Sequence, residues 1–120
     1  ISVSGITDLK KWITHKVFVN GYEEAYMNEF FGSRWFDSKK LKEDSPIYLT
    51  KKITQPVLLV HGEHDVSIPS DQSKDFYRKI KKSNKNVEYL EIEDAGSVFE
   101  KYKERLEYYK RLESFLKNNL

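Results

Sequence analysis

A short apolar run near the middle of the chain restricts the choice of fold more than any other segment. Val57-Leu58-Leu59-Val60 follows Pro56 and precedes the polar segment from His61 to Asp65. A strand with one wet face alternates apolar and polar residues, whereas a continuous apolar run fits a strand that is covered on both faces. The run therefore predicts a buried strand of a parallel sheet.

The segments after this run follow the order strand, helix, strand, helix. Ser70 can cap a helix that closes at Ser83-Asn84, and Val87 to Ile92 is a second strand. The second strand alternates more, which favours a position nearer the sheet edge. Apolar residues then recur at helical spacing from Phe99 to Leu116. Such a unit crosses over right-handed in a parallel sheet, so this half of the chain predicts an α/β fold.

The first half of the chain predicts one short strand and several helices. Ile1 to Ser4 suits a strand end, and Thr7 or Asp8 can cap a helix that breaks at Asn20-Gly21. Ser45-Pro46 can start a separate short helix. No internal repeat or low-complexity linker separates the two halves, so we predict a single domain.

Charge and composition exclude several classes of protein. The 21 basic and 19 acidic residues are interspersed and leave a net charge of +2, which argues against a nucleic-acid binder. The absence of cysteine excludes a disulfide scaffold and a thiol nucleophile. No apolar run approaches the roughly 18 residues of a membrane span. We therefore expect no nucleic-acid or membrane partner, and a cytoplasmic location.

The polar residues after the central strand are candidates for function, with a solvated loop as the plain alternative. His61, His64 and Asp65 have a spacing typical of metal ligands. Pairs of that spacing need a helix, however, and these residues are predicted where a strand turns into a loop. We expect His61 to pack and hydrogen-bond, with no metal and no cofactor bound.

The segment from Gln55 to Asp65, with Ile68-Pro69 and Gln72-Ser73 after it, resembles the acid-bearing segment of α/β-hydrolases. It is most similar to the prolyl oligopeptidase family, which includes dipeptidyl and acylaminoacyl peptidases. Further similar pieces occur in matching order at Ser4 to Leu9, Phe31-Gly32, Glu43 to Pro46 and Tyr108 to Leu120. The resemblance implies a partial doubly wound α/β-hydrolase sheet, about three parallel strands with flanking helices, as one domain over residues 1–120.

The resemblance also implies a serine, aspartate and histidine triad, of which this chain matches only the acid. Asp65 takes the position of the acid, and Ser97 stands in the slot of the catalytic histidine. No G-x-S-x-G nucleophile elbow occurs in the 120 residues. A hydroxyl cannot take and return a proton near neutral pH as an imidazole does, so we predict no activity for the chain alone.

Two functions follow as hypotheses. In the first, the chain is the C-terminal fragment of a serine hydrolase or peptidase, and acts on a peptide or ester substrate only when complemented. In the second, it is a pseudoenzyme or interaction module that uses an exposed sheet edge. For either, the expected partner is a second copy, as a homodimer, or a separate N-terminal hydrolase fragment, because an open strand edge favours pairing.

Overall fold

A computed structural model of the chain describes residues 1–19, 21, 23–32 and 36–120. Three parallel strands form its sheet in the order β1-β2-β3, with β1 at Ser2–Val3, β2 at Val57–Gly62 and β3 at Val87–Ile92. The apolar run thus lies in the middle strand, hydrogen-bonded on both sides. The predicted α/β fold with about three parallel strands is confirmed.

Five α-helices surround the sheet in the described part of the chain. They are α1 at Leu9–Thr14, α2 at Glu24–Phe31, α3 at Ser38–Glu43, α4 at Asp71–Ile80 and α5 at Tyr102–Asn119. A π-helical turn, His15–Val19, continues α1, and two 3₁₀ turns, Pro46–Tyr48 and Thr50–Lys52, lead into β2. Asp8 caps α1, as one of the two predicted caps. The predicted helix break at Asn20 lies outside the described residues.

The sheet is covered on both faces, which explains the continuous apolar run in β2. Leu58 and Val60 face α5, whereas Leu59 faces α4. The α5 side is closed by Leu90, Ile92, Ala95 and Phe115, and the α4 side by Ile47, Phe76, Ile80 and Val87. Alternate residues of one strand therefore reach two separate cores.

A third apolar cluster joins the N-terminal helices to one another. Ile13 of α1, Met27 of α2 and Leu41 of α3 are buried together. The side chain of Gln72, at the start of α4, holds the segment before α1 to the sheet layer, since its Oε1 accepts from the amides of Thr7 and Asp8. The helical half is thereby fixed near the carboxyl ends of the strands.

The structure differs from the predicted boundaries in two informative places. The strand β2 extends to Gly62, two residues past the apolar run, because its ladder with β3 continues through His61 opposite Glu91. Ser70 takes the N-cap position of α4, yet its side chain makes no capping hydrogen bond. No helix among the described residues combines the length and apolar character needed to cross a bilayer.

Candidate functional site

Each of the three parallel strands delivers one polar residue to the same edge of the sheet. Ser4 follows β1, Asp65 lies in the loop after β2, and Ser97 lies in the loop after β3. Side chains at the carboxyl ends of parallel strands converge on a common crevice. The candidate site is this convergence around Asp65.

The Asp65 carboxylate is buried and held in a fixed orientation. The residue is only 5% exposed, and its Oδ1 accepts from the amides of Ser67 and Ile68, both at 2.9 Å. The Ser97 hydroxyl donates to the same oxygen at 2.8 Å. The two residues that the resemblance selected, 32 positions apart, are therefore in direct contact.

The surroundings of Asp65 favour its ionised form. Burial by itself raises the pKa of the carboxyl, but the hydrogen bonds from Ile68, Ser97 and Ser67 outweigh burial, so the pKa of Asp65 lies below its usual range. The site thus provides a buried carboxylate whose negative charge is stabilised by hydrogen bonds from two backbone amides and one hydroxyl.

Ser4 is a site residue that the sequence analysis did not identify. Its backbone has a φ of 48°, which is uncommon for a residue other than glycine. Its hydroxyl lies near enough to Asp65 to help lower the pKa of that carboxyl, although neither Ser4 Oγ nor Asp65 Oδ2 makes a hydrogen bond of regular geometry. Its place directly after β1, as Asp65 follows β2, is a signal that could have found it.

The two histidines of this region face in different directions. His61 lies within β2 rather than in a loop, is fully buried, and contacts the Ile68 carbonyl through Nε2 at 2.7 Å. Because a carbonyl only accepts, Nε2 donates to it, and Nδ1 is hydrogen-bonded to the Ser73 hydroxyl at 2.7 Å. His64 points outward instead, with 63% of its side chain exposed. His61 Nε2 also lies 3.5 Å from Asp65 Oδ2 in the interior, whereas the His64 ring lies at the surface, so the set His61, His64 and Asp65 does not converge on one point.

An open depression of about 350 Å³ lies beside Ser97. Its lining includes the charged residues Asp94, Glu100, Lys101 and Glu104. Gly96, Ser97 and Val98 complete the lining, so the depression combines charged and apolar walls.

The parallel sheet, the helices on both of its faces and the buried acid after the middle strand together define an α/β-hydrolase-type protein. Two solved structures share this fold over almost all of the chain. A puromycin-hydrolyzing peptidase of Mycobacterium tuberculosis matches 99% of it with a TM-score of 0.81 and 22% identity. The acylaminoacyl peptidase of Pyrococcus horikoshii matches 98% of it with a TM-score of 0.76 and 23% identity.

The chain belongs to the prolyl oligopeptidase family, whose sequence profile matches residues 1–120. Among curated relatives, dipeptidyl peptidase family member 6 of Caenorhabditis elegans is 26% identical over 82 residues, which are 68% of this chain. The chain spans 11% of the length of that relative, and 18% and 19% of the two solved structures. The resemblance stated from the sequence is thus confirmed at the level of family and fold.

Proposed function

We propose that the chain is the acid-bearing part of a serine hydrolase of peptide or ester bonds, and that it is catalytically silent by itself. In this proposal Asp65 is the triad acid, and Ser97 stands in the position of the catalytic histidine. The observation that carries the proposal is the 2.8 Å hydrogen bond from Ser97 Oγ to the buried Asp65 carboxylate. It joins the two loops that would carry the acid and the base.

This arrangement can perform one half of the task of a catalytic histidine. In a triad, the imidazole donates a hydrogen bond to the acid and takes the proton of the nucleophile, which it later gives to the leaving group. The Ser97 hydroxyl donates to Asp65, but it has no basic nitrogen that can accept a proton near neutral pH. The site therefore keeps the acid and a donor to it, but it lacks the base that would transfer the proton.

A nucleophile must also come from elsewhere. The sharp turn that exposes a catalytic serine needs flanking glycines, in the form G-x-S-x-G. Ser4 has Ser2 and Ile6 at those positions, and Ser97 has Ala95 and Phe99. Two parts of the triad are therefore missing from the 120 residues, and each can be restored separately.

A two-by-two experiment tests the proposal. The chain and its Ser97→His variant are each assayed for hydrolysis of a generic ester, with and without a separately produced segment that carries the elbow serine of a family member. Only Ser97→His together with the segment should gain turnover, and adding Asp65→Ala should remove the gain, since triad losses typically cost several powers of ten. Ser114→His, on the exposed face of α5, is the matched control.

Turnover by the unaltered chain alone that follows the protein peak during purification would contradict the proposal. So would equal turnover from Ser97→His and Ser114→His in the presence of the segment. Absence of turnover in every combination would argue against Ser97 as the base position, provided that binding of the segment to the chain is measured on the same samples.

A second candidate function, an interaction module, is favoured by the open edge of β1. That strand is hydrogen-bonded to β2, and the described residues place no strand on its other side. Ile1 and Val3 are 58% and 41% exposed at this edge. We propose that a separate N-terminal hydrolase fragment covers it, because the chain matches only about a fifth of the length of the solved structures.

A further inference from the structure

One imidazole and two carboxylates converge on the surface beside the candidate site, outside the residues assigned to the triad. His64 Nε2 lies 3.9 Å from Glu63 Oε2 and 3.6 Å from Asp94 Oδ1. One ligand atom of each residue lies within 4.8 Å of those of the other two. We name Glu63, His64 and Asp94 the loop cluster, since they come from the loops after β2 and β3.

The backbone fixes the two loops against each other, so the convergence does not depend on flexible side chains alone. The amide of Glu63 donates to the Ile92 carbonyl at 3.0 Å, and that of His64 donates to the Ala95 carbonyl at 2.8 Å. These bonds continue the ladder of β2 and β3 beyond the ends of the strands. The loop cluster is thus presented by a framework that exists before any ligand binds.

Among the described residues, no lysine or arginine pairs with Glu63 or Asp94, and both carboxylates face the His64 ring instead. Glu63 Oε2 also accepts from the Asp94 amide at 3.1 Å. All three side chains are at least 40% exposed, so water can complete a coordination sphere. The loop cluster thus offers one nitrogen and two oxygen ligand atoms to a cation.

We propose that the loop cluster binds a divalent first-row transition metal cation, with Zn²⁺ as the probe. A nitrogen ligand with two carboxylate oxygens suits Zn²⁺ and its neighbours, whereas Mg²⁺ and Ca²⁺ prefer ligand sets made of oxygen alone. Three protein ligands leave a fourth position for water, as in open zinc sites. The ligand set differs from the one weighed from the sequence, because His61 and Asp65 are already used in the interior.

Such a cation would connect the loop of Asp65 to the loop of Ser97. A ligand that binds the folded chain and not the unfolded one raises its stability by mass action. Zn²⁺ should therefore raise the melting temperature of the chain and hold the candidate site together. This property does not depend on whether the triad positions are assigned correctly.

The test is a titration of the full chain with Zn²⁺ by calorimetry, with Mg²⁺ as the comparison ion. We expect one Zn²⁺ per chain and a raised melting temperature. His64→Ala and Asp94→Asn should each weaken Zn²⁺ binding at least about tenfold. Replacing even a residue that only hydrogen-bonds to a metal ligand typically lowers metal affinity about 10- to 100-fold. Asn is chosen at position 94 because Asp94 has a φ of 58°, a conformation that Asn tolerates.

His15→Gln is the matched control, because His15 is the remaining histidine outside β2 and the loop cluster. Its binding should equal that of the unaltered chain. Zn²⁺ bound as tightly by His64→Ala as by the unaltered chain would overturn the proposal. So would the absence of one-to-one binding, or equal binding of Mg²⁺. His64 is exposed, so His64→Ala should fold, and circular dichroism on each variant verifies this.

Discussion

At the scale of single residues, only the resemblance to a known family indicated that Asp65 and Ser97 belong to one site. Spacing within the chain says nothing about two loops that are 32 positions apart. What brings them together is the ladder between β2 and β3, which sets both loops at one edge of the sheet. Ser4 reaches the same edge by the same rule but matches no catalytic motif, which is why it was missed.

Replacing Ser97 with Ala should destabilise the fold. The change removes a donor from a buried carboxylate, and we expect a loss of about 1–3 kcal/mol in the free energy of unfolding. Urea denaturation measures it. Ser114→Ala, at an exposed position of α5, should be neutral or slightly stabilising. Equal stability of the two variants would mean that the hydrogen bond from the Ser97 hydroxyl does not stabilise the Asp65 carboxylate.

Gly62 and Gly96 offer a paired test of how closely the two loops approach. A Cβ at Gly62 would lie 2.6 Å from the Ala95 carbonyl oxygen and closer still to that of Gly96, whereas a Cβ at Gly96 meets nothing within 4 Å. Gly62→Ala should therefore cost about 1–3 kcal/mol through overpacking, and Gly96→Ala should cost little. Thermal or urea unfolding of both variants compares them. An unchanged free energy of unfolding in Gly62→Ala would contradict the close approach of the two loops.

At the scale of elements, the types of β2, α4, β3 and α5 were predictable, and their ends were less so. The apolar period of each segment is local information, so it identifies the element. The length of β2 depends on pairing with β3, which is not local, and the strand therefore continues through His61 and Gly62. The π-helical turn after α1 had no signal in the sequence.

A side-chain network between β3 and α4 makes the stability of this layer depend on pH. Burial raises the pKa of Glu91, but hydrogen bonds from Lys74 and Tyr89 and the charge of Lys74 outweigh it, so the pKa lies below its usual 4.5. The distance from Lys74 Nζ to Glu91 Oε2 is 2.7 Å. Burial and Glu91 in turn raise the pKa of Tyr89, so its phenol stays a donor.

The sign of the effect follows from the lowered pKa of Glu91. Folding favours the ionised carboxylate, so its stabilisation is present above about pH 4.5 and is lost as the pH falls below that value. Glu91→Gln should lower the free energy of unfolding at pH 7 more than at pH 3. Denaturation at a series of pH values measures this. Glu43→Gln, on the exposed end of α3, should leave the profile unchanged, and identical profiles for both variants would contradict the account.

At the scale of the whole molecule, β2 is paired on both sides, and β1 and β3 are the two edge strands of the described sheet. A parallel sheet of this type is normally covered on both faces and continued at its edges, and exposed edges favour association. The apolar residues Ile1 and Val3 at the β1 edge are consistent with a surface that a partner covers.

Sedimentation of the chain over a range of concentrations tests the open edge. We expect association with an N-terminal hydrolase fragment, and growth in mass by self-pairing when that fragment is absent. Val3→Lys should reduce both, because a charge on an edge strand disfavours pairing. Leu120→Lys changes a fully exposed apolar residue directly after α5, outside β1 and the candidate site, and should have no effect. A monomer mass that is independent of concentration and of the fragment would exclude this surface as an interface.

The central claim is that Ser97 occupies the position from which a histidine would serve Asp65. Proton NMR of the Ser97→His variant tests it most directly, without any missing segment. The account predicts a strongly downfield N–H resonance from the introduced imidazole, because that ring would donate to the buried carboxylate, and predicts loss of the resonance when Asp65→Asn is added. A ring that shows only the signals of a solvated histidine, the same with Asp65 or Asn at position 65, would contradict the account.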